Sequence, residues 1–345
     1  MGDLTIRREE IGTFIEGILN EFEVLAPVRK DGKFVFEEIR DRIDDIVLDY
    51  DTTILPPKKV FYPQHEIIYR YKIGEKGFTK FTHEEDETKR LLLGVHPCDI
   101  IALVFLDKVF SREYKDPYYL PRRNNTLIIG MTCNSSSDHC FCSTMDAGPD
   151  ISAGYDLLLT DLGDRYYVRV KSREGRELVS KNSGVFLDAT EKDSILRREK
   201  LNEVERSLGE KLNLGGIPTK MEKLFNDGLW DEIADECLCC GGCNVSCPTC
   251  HCFDIVDRVD ITGTRGYRER IWDACHLIDF ARIAGHNFRE SRTSRFKQRI
   301  YDKLCYSYEK FGRPACVGCG RCLLTCPAEI DIRNVIDRIN AMGAV

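Results

Sequence analysis

The chain lacks any long hydrophobic run and any excess of positive charge. No apolar stretch approaches the ~18 residues that a membrane-spanning helix needs, and the segment from Met1 to Glu10 has no hydrophobic signal-peptide core. The 345 residues carry a formal net charge of −7 at pH 7, which argues against nucleic acid as a main partner. These absences predict a protein that binds neither a membrane nor nucleic acid.

Common fingerprints of cofactor binding and catalysis are also missing. The sequence has no G-x-G-x-x-G dinucleotide motif and no P-loop, and it has no G-x-S-x-G or H-E-x-x-H motif. We therefore expect no flavin or nucleotide on this chain and no catalytic residue. Any reaction with NAD(P)H would require a partner chain that binds the nucleotide.

Cysteine, in contrast, is abundant, with 17 residues in the chain. Disulfide scaffolds are typical of small secreted proteins, so clustered cysteines in a long chain without a signal peptide indicate metal in a reducing, anaerobic cytoplasm. Two runs with the spacing C-x2-C-x2-C-x3-C-P predict two [4Fe–4S] clusters. The first motif is Cys237, Cys240, Cys243 and Cys247 before Pro248, and the second motif is Cys316, Cys319, Cys322 and Cys326 before Pro327.

The spacing of the two motifs predicts which cysteines share a cluster. Three thiolates spaced by two residues can wrap three corners of one cube, whereas the fourth cysteine ligates the other cluster. Cluster 1 would therefore take three cysteines of the first motif with Cys326, and cluster 2 three cysteines of the second motif with Cys247. The alternative is a pair of zinc sites, which usually show two C-x2-C pairs separated by a long loop.

Four further cysteines suggest a third cluster. Two continuous apolar runs, Leu91–Val95 and Thr126–Thr132, read as buried strands, and each is soon followed by cysteine. If these strands are neighbours, four thiols converge as a [4Fe–4S] cluster requires. This third set is Cys98, Cys133, Cys140 and Cys142. The alternatives are ordinary buried cysteines and a single zinc ion.

Five cysteines have no place in these clusters. Cys239, Cys250, Cys252 and Cys275 lie near the first motif in sequence, and Cys305 is alone in a predicted helix. We interpret all five as buried thiols. The alternative for the first four is an extra metal ligand or a redox-active thiol.

We predict an α+β protein with three parts. They are a mixed α/β domain over residues 1–188, a helical connector over 189–236, and an α-helical ferredoxin domain over 237–345 that holds two [4Fe–4S] clusters. The hydrophobic patterns predict helices at 6–22, 191–212, 218–236, 270–283, 295–311 and after Pro327. They predict strands at 34–36 and 67–71, and a hairpin over 154–170 that turns at Gly163-Asp164.

Two charged segments remain to be assigned. The segment Thr53-Ile-Leu-Pro-Pro-Lys-Lys59 reads as a solvated loop, with contact to a partner or an anionic ligand as the alternative. The insert between the motifs is basic, and cations near an anionic cluster favour its reduced form. The candidates for that role are Arg265, Arg268, Arg270 and Arg289. A solvated basic face or a docking surface for an acidic partner is the alternative.

The chain resembles, nearly end to end, the β subunits of cytosolic NiFe sulfhydrogenases and the corresponding iron–sulfur subunits of anaerobic sulfite reductases. The resemblance rests on Thr53-Ile-Leu-Pro-Pro-Lys-Lys59, Gly94-Val-His-Pro-Cys-Asp-Ile100, Cys140-Phe-Cys142, Cys247-Pro-Thr-Cys250, Gly266-Tyr-Arg-Glu-Arg270, Trp272-Asp-Ala-Cys275, Gly285-His-Asn-Phe-Arg289 and Cys316-Val-Gly-Cys-Gly-Arg-Cys322. It implies an electron-relay protein whose flavin-containing partner exchanges electrons with NAD(P)H. Cys239 departs from the family, in which this position tends to be a small residue that binds no metal.

Two functions follow as hypotheses. In the first, the chain is a cytoplasmic iron–sulfur subunit that relays single electrons between an FAD- and NAD(P)H-binding partner and a terminal hydrogenase, sulfite reductase or heterodisulfide-reductase-like subunit. In the second, the third set of cysteines, or Cys250 with Cys252, reduces a sulfur substrate such as a disulfide or polysulfide. A zinc-stabilised interaction module is the alternative without redox chemistry.

Overall fold

A computed structural model describes residues 2–74, 77, 79–82 and 86–343. In this part of the chain the strands β1 to β14 are Leu4–Arg7, Glu23–Lys30, Lys33–Glu38, His65–Ile73, Thr79–Thr82, Arg90–Val95, Thr126–Met131, Leu157–Asp161, Arg165–Val170, Phe186–Asp188, Phe253–Val259, Arg265–Trp272, Arg282–Ile283 and His286–Asn287.

The helices of the same residues are short. In chain order, α1 to α13 are Ile11–Leu19, Lys58–Phe61, Pro97–Ser111, Tyr119–Asn124, Arg173–Lys181, Glu191–Ser207, Ile217–Lys223, Leu229–Glu236, Gly242–Val245, Arg292–Tyr301, Ser307–Phe311, Arg321–Leu324 and Ile332–Met342. A π-helical turn, Asp302–Tyr306, joins α10 to α11. None of the described helices is long and apolar enough to cross a membrane.

An eight-stranded mixed sheet forms the core of the first half of the chain, in the order β10-β1-β9-β8-β7-β6-β2-β3. Its centre is parallel, because β6 pairs with both β2 and β7, and β7 also pairs with β8. The two buried apolar runs of the sequence are therefore adjacent strands, β6 and β7. Parallel neighbours end at the same edge of a sheet, so the residues that follow these two strands are brought together.

Most of the predicted elements of the first half are confirmed. The short runs at 34–36 and 67–71 lie in β3 and β4, and the predicted hairpin is β8–β9, with Gly163 at a φ of 106° in the turn. The helix predicted over 6–22 is only α1, because residues 4–7 pair between β9 and β10 instead. Backbone pairing across a sheet has here overridden the apolar spacing that favoured a helix.

A four-stranded sheet, in the order β11-β12-β4-β5, joins two distant parts of the chain. The helix predicted over 270–283 is wrong, because its first residues belong to β12, which pairs antiparallel with β11 and β4. The alternating charges of β12 are paired with charges on β11, as in the pairs Arg268–Asp257 and Glu269–Arg258. The part of the chain between the motifs is therefore not all helical, although residues 295–311 are helical as predicted.

The connector and the C-terminus are helical, with two corrections. The segment predicted as a single helix over 218–236 is two helices, α7 and α8, because the non-helical residues 224–228 separate them. Helix α6 ends at Ser207 rather than near residue 212. Helix α13 buries the predicted apolar face, Ile332, Val335, Ile336 and Ile339. The three-part division of the chain stays a prediction.

Candidate metal centre

The two cysteine motifs share one backbone conformation. Cys239 and Gly318 occupy the same position, two residues after the first cysteine, and their φ angles are 51° and 64°. Gly241 and Gly320 follow each second cysteine with φ angles of 76° and 71°. A positive φ is normal for glycine and uncommon for cysteine. The sequence repeat is therefore also a repeat of the loop's shape.

The shared conformation points a backbone amide at the first sulfur of each motif. Cys239 donates its N–H to Cys237 Sγ at 3.4 Å, and Gly318 donates its N–H to Cys316 Sγ at 3.5 Å. Such bonds stabilise a thiolate and tune the potential of a cluster. Cys239 occupies the position of Gly318 in the repeat, and its backbone amide makes the same kind of contact as the amide of Gly318. Cys237 matches Cys316, the first cysteine of the second motif.

The fourth cysteine of each motif acts on cysteines of the other motif, Cys247 on three of them and Cys326 on Cys237. Burial raises the pKa of Cys316, Cys319 and Cys322, and the negative charge of Cys247 raises the pKa of each of them further. Burial likewise raises the pKa of Cys237 to about 11, with Cys326 among the neighbours that add to the rise. This arrangement supports the crossed assignment of ligands, which stays a prediction.

Two short helices hold the motifs against each other. Helix α9 contains the third cysteine of the first motif, and α12 contains the third cysteine of the second. Just beyond these helices, the hydroxyls of Ser246 and Thr325 are 3.0 Å apart. A Cβ added at Gly242 would lie 3.3 Å from the carbonyl oxygen of Thr325. The contact fixes the distance between the two sets of thiols.

The third set of cysteines follows the C-terminal ends of the central strands β6 and β7 of the large sheet. Cys98 lies in the first turn of α3, directly after β6, and Cys133 follows β7 by two residues. Burial raises the pKa of Cys98 and of Cys133, and Cys142 contributes to both rises. Cys140 in turn adds to the raised pKa values of Cys133 and Cys142. The strand neighbours that a third cluster would need are present, and the ligand set itself stays a prediction.

The third set lies directly against the second motif. Phe141 donates its N–H to Gly318 O at 2.8 Å. A Cβ at Gly318 would be 2.5 Å from the Phe141 carbonyl oxygen, and one at Gly320 would be 2.6 Å from the His139 carbonyl oxygen. Both glycines are therefore required by this close packing as well as by their φ angles. The charge of Cys319 also contributes to the raised pKa of Cys98.

A buried ion pair locks the second motif to the first half of the chain. Both terminal nitrogens of Arg321 contact the Asp99 carboxylate at 2.7 Å, and the Arg321 Nε donates to Thr53 O at 2.8 Å. The side chains of this pair are 2% and 0% exposed. Because Asp99 follows Cys98 and Arg321 lies between Cys319 and Cys322, the pair positions both cysteine sets.

Three other cations face the cysteines, and the sequence offered such a role only for the lysines of segment 53–59, as the less favoured alternative. They are Lys58, Arg299 and Lys303, all buried. Burial is the largest influence on the pKa of each cation and lowers it, whereas the negative charge of Cys247 raises it. For Lys58 the result is a pKa of about 8. Arg299 and Lys303 are one helical turn apart, beside the apolar row Phe296, Ile300 and Leu304. Cations repeating every four residues next to an apolar row were the signal available.

Two of the four arginines nominated from the sequence already have carboxylate partners. Arg268 is paired with Asp257 on the exposed face of β12, and Arg270 is bound by Glu66 and Asp116. The largest influences on the pKa of Arg268 and of Arg270 come from these carboxylates and from burial. Arg265 is exposed at the start of β12, and Arg289 follows the two-stranded β13–β14 sheet. The ion pairs disfavour a role in cluster tuning for Arg268 and Arg270, and the assignment of Arg265 and Arg289 stays a prediction.

The buried cations provide a test of whether the thiols suit an anionic cluster. Among the described residues, Lys58, Arg299 and Lys303 form no ion pair with a carboxylate, and Arg299 Nε is buried without a hydrogen-bond partner. Burying unpaired charge is unfavourable. Thiolates bound to iron would supply the missing negative charge, so the residues present fit the clusters that the spacing predicts.

A further group of thiols surrounds Asn244. Its Nδ2 lies 3.3 Å from Cys275 Sγ and 3.7 Å from Cys250 Sγ. Burial raises the pKa of Cys252, and the charge of Cys275 raises it further. Cys305 is buried in the helical core, as predicted. Within the described ranges, no group of three or more His, Cys, Asp or Glu side chains could hold a metal ion. Support for the cysteine sets therefore comes from loop shape, burial and charge.

Comparisons with known proteins agree with this site. Residues 236–330 match the family model described as a 4Fe-4S dicluster domain. Over 323 residues, the chain is 38% identical to the sulfhydrogenase 2 subunit beta of Pyrococcus furiosus, and the matched region covers 92% of each chain. No solved structure matches the chain.

Proposed function

Since the chain belongs to the family of sulfhydrogenase β subunits, we propose that it is the iron–sulfur electron-transfer subunit of a cytoplasmic multi-subunit oxidoreductase. It would relay single electrons between an FAD- and NAD(P)H-binding partner and a terminal subunit. That terminal subunit is a hydrogenase, a sulfite reductase or a heterodisulfide-reductase-like protein. Bound [4Fe–4S] clusters would supply the one-electron chemistry.

The observation that carries the proposal is the contiguity of the three cysteine sets. The third set touches the second motif through Phe141 and Gly318, and the second motif touches the first through Ser246 and Thr325. Clusters bound to sets in contact would lie close to one another. Several neighbouring one-electron centres are what an electron relay needs, which supports the proposal.

The chain's own residues would hold and insulate these clusters. Cys237, Cys240, Cys243 and Cys326 would hold cluster 1, Cys247, Cys316, Cys319 and Cys322 cluster 2, and Cys98, Cys133, Cys140 and Cys142 a third. Buried apolar neighbours, including Phe141 and Val317, pack against cysteines of the second motif and the third set and limit the access of water to them. Burial and charge around the sulfurs then set the potential.

The test is an anaerobic preparation of the full chain together with whatever polypeptides co-purify with it. We expect brown protein that holds about four irons for each cluster, with an electron paramagnetic resonance signal that appears on reduction. Co-purification of flavin-containing and catalytic subunits is expected. Zinc in place of iron, or no metal, would overturn the proposal.

The competing function is reduction of a sulfur substrate by the chain alone. The thiols of Cys250 and Cys252 are partly buried, and Cys275 is fully buried, which limits attack on a substrate. The isolated chain, supplied with an artificial reductant and polysulfide, separates the two functions. We expect no turnover, whereas turnover lost on Cys250→Ser would favour the reductase.

A further inference from the structure

We propose that Lys58 and Lys303 act together as a positioning pair that raises the reduction potential of cluster 2, held by Cys247 and the second motif. The proposal rests on the proposed function, because it requires that cluster. It assigns a role to the segment 53–59, which the sequence favoured as a solvated loop and which is instead largely buried.

Lys58 reaches the cysteines from the first half of the chain. It begins the short helix α2, directly after Pro56 and Pro57, and its side chain is almost completely buried. Its Nζ donates to Cys247 O at 2.8 Å and to Cys250 O at 2.7 Å. The same Nζ lies 4.2 Å from the centre of the Trp272 ring, which holds the ammonium from the other side.

Lys303 approaches the same residues from the second half of the chain. Its Nζ donates to Thr249 Oγ1 at 2.9 Å, and that oxygen is 3.2 Å from Cys247 Sγ. Thr249 Oγ1 also donates to Ala315 O at 2.8 Å, directly before the second motif. Both lysines therefore contact residues 247–250. Lys58 binds the carbonyl oxygen of Cys247, and Lys303 binds the Thr249 hydroxyl that contacts the Cys247 sulfur.

Neither lysine is neutralised by a carboxylate in the described part of the chain, unlike Arg321, whose charge is matched by Asp99. Reduction adds one electron, and so one negative charge, to a cluster that its thiolates already make anionic. Nearby uncompensated cations stabilise the reduced state more than the oxidised state, and they act strongly where water is excluded. The effect should fall mainly on cluster 2, since both lysines converge on Cys247.

The experiment measures midpoint potentials by redox titration with dithionite, followed by electron paramagnetic resonance, on the full chain with its clusters. Lys58→Met should shift the potential of one cluster to more negative values, because the reduced state loses a stabilising charge. Lys58→Arg, which keeps the charge, should restore most of the wild-type potential. The matched control is Lys59→Met, because the pKa of Lys59 is shifted by burial and by the charges of Glu37 and Lys30, with no cysteine among its causes.

Iron content, measured on the same samples, separates the possible failures. Full iron content with an unchanged potential in Lys58→Met would overturn this inference and leave the proposed function intact. A wild-type chain without iron would overturn both. Should Lys58→Met lose its iron, Lys303→Met removes the second charge without disturbing the bonds to Cys247 O and Cys250 O. An unchanged potential there would also contradict the inference.

Discussion

The first and second motifs have the same cysteine spacing and the same loop conformation, but they lie in different surroundings. In the first motif Cys240 is exposed, and the neighbouring Leu238 is 64% exposed. In the second motif the corresponding Val317 is buried and Cys319 is only partly exposed, because segments around Thr53, Asp99 and Phe141 pack against this loop.

This difference shows that the cysteine spacing determines where a cluster would bind, whereas the rest of the chain determines its exposure to solvent and the charges around it. Position 242 in the first motif is glycine, and the matching position in the second is Arg321, which anchors the loop to the first half of the chain. In the proposed relay, the second motif would hold a cluster in the interior of the chain. The first motif, with its exposed Cys240, would hold the cluster that exchanges electrons with a partner subunit.

The largest effect expected is the loss of a whole cluster. Cys98→Ser should remove about four irons per chain, because the third set would lose one of the four thiolates that a cluster requires. The irons of both motifs should remain, if the third set binds its own cluster. Iron analysis of anaerobic protein measures the change.

The matched control for that loss is Cys305→Ser, which alters a buried cysteine in the helical core. Its iron content should equal that of the wild type. Equal iron content in Cys98→Ser would instead show that the third set holds no cluster, and that only the motifs bind iron.

The next effect concerns the buried ion pair that anchors the second motif and has no counterpart at Gly242 of the first. Asp99→Asn leaves the buried Arg321 without its counter-charge and should lower the free energy of unfolding by about 3–5 kcal/mol. Anaerobic urea denaturation followed by circular dichroism measures it. The control, Glu177→Gln, breaks the exposed pair Arg173–Glu177 and should change stability by less than about 1 kcal/mol. Similar values for both variants would contradict the anchoring role.

A smaller, kinetic effect follows from the exposure of Cys240. With a chelator and mild oxidant, iron should leave in at least two phases, because Cys240 of the first motif is exposed and Cys319 of the second is only partly exposed. Absorbance bleaching measures the phases. Cys240→Ser should remove the fast phase alone, and a single uniform rate in the wild type would refute the difference in access.

Much of the site could be predicted from sequence, because iron–sulfur ligands are encoded by local spacing. The adjacency of β6 and β7 was also within reach, since both are continuous apolar runs, as expected of buried strands that end at one sheet edge. The β11–β12 hairpin was missed because β12 also pairs with β4, about 200 residues away, and its charges are balanced across strands. A role for Lys58 was disfavoured because a lysine after two prolines looks solvated until distant carbonyls are brought to it.

The smallest effect concerns Cys239, the residue that distinguishes the two loops at their shared left-handed position. A non-glycine residue there is strained, and glycine relieves the strain while adding freedom to the unfolded chain. Cys239→Gly should therefore raise the free energy of unfolding by only about 0.5–1 kcal/mol, with iron content unchanged. Denaturation and iron analysis of the same sample measure both.

The reciprocal change, Gly318→Ala, tests the same position where the surroundings are closed. Its new Cβ would meet the Phe141 carbonyl oxygen at 2.5 Å, so stability should fall, in contrast to the gain at residue 239. Loss of iron in Cys239→Gly would make Cys239 a ligand and end the equivalence of the two loops. A gain at 239 beside a loss at 318 would support a shared left-handed position in both loops, where glycine is favoured by its φ angle in each and is further required at 318 by the close packing of Phe141.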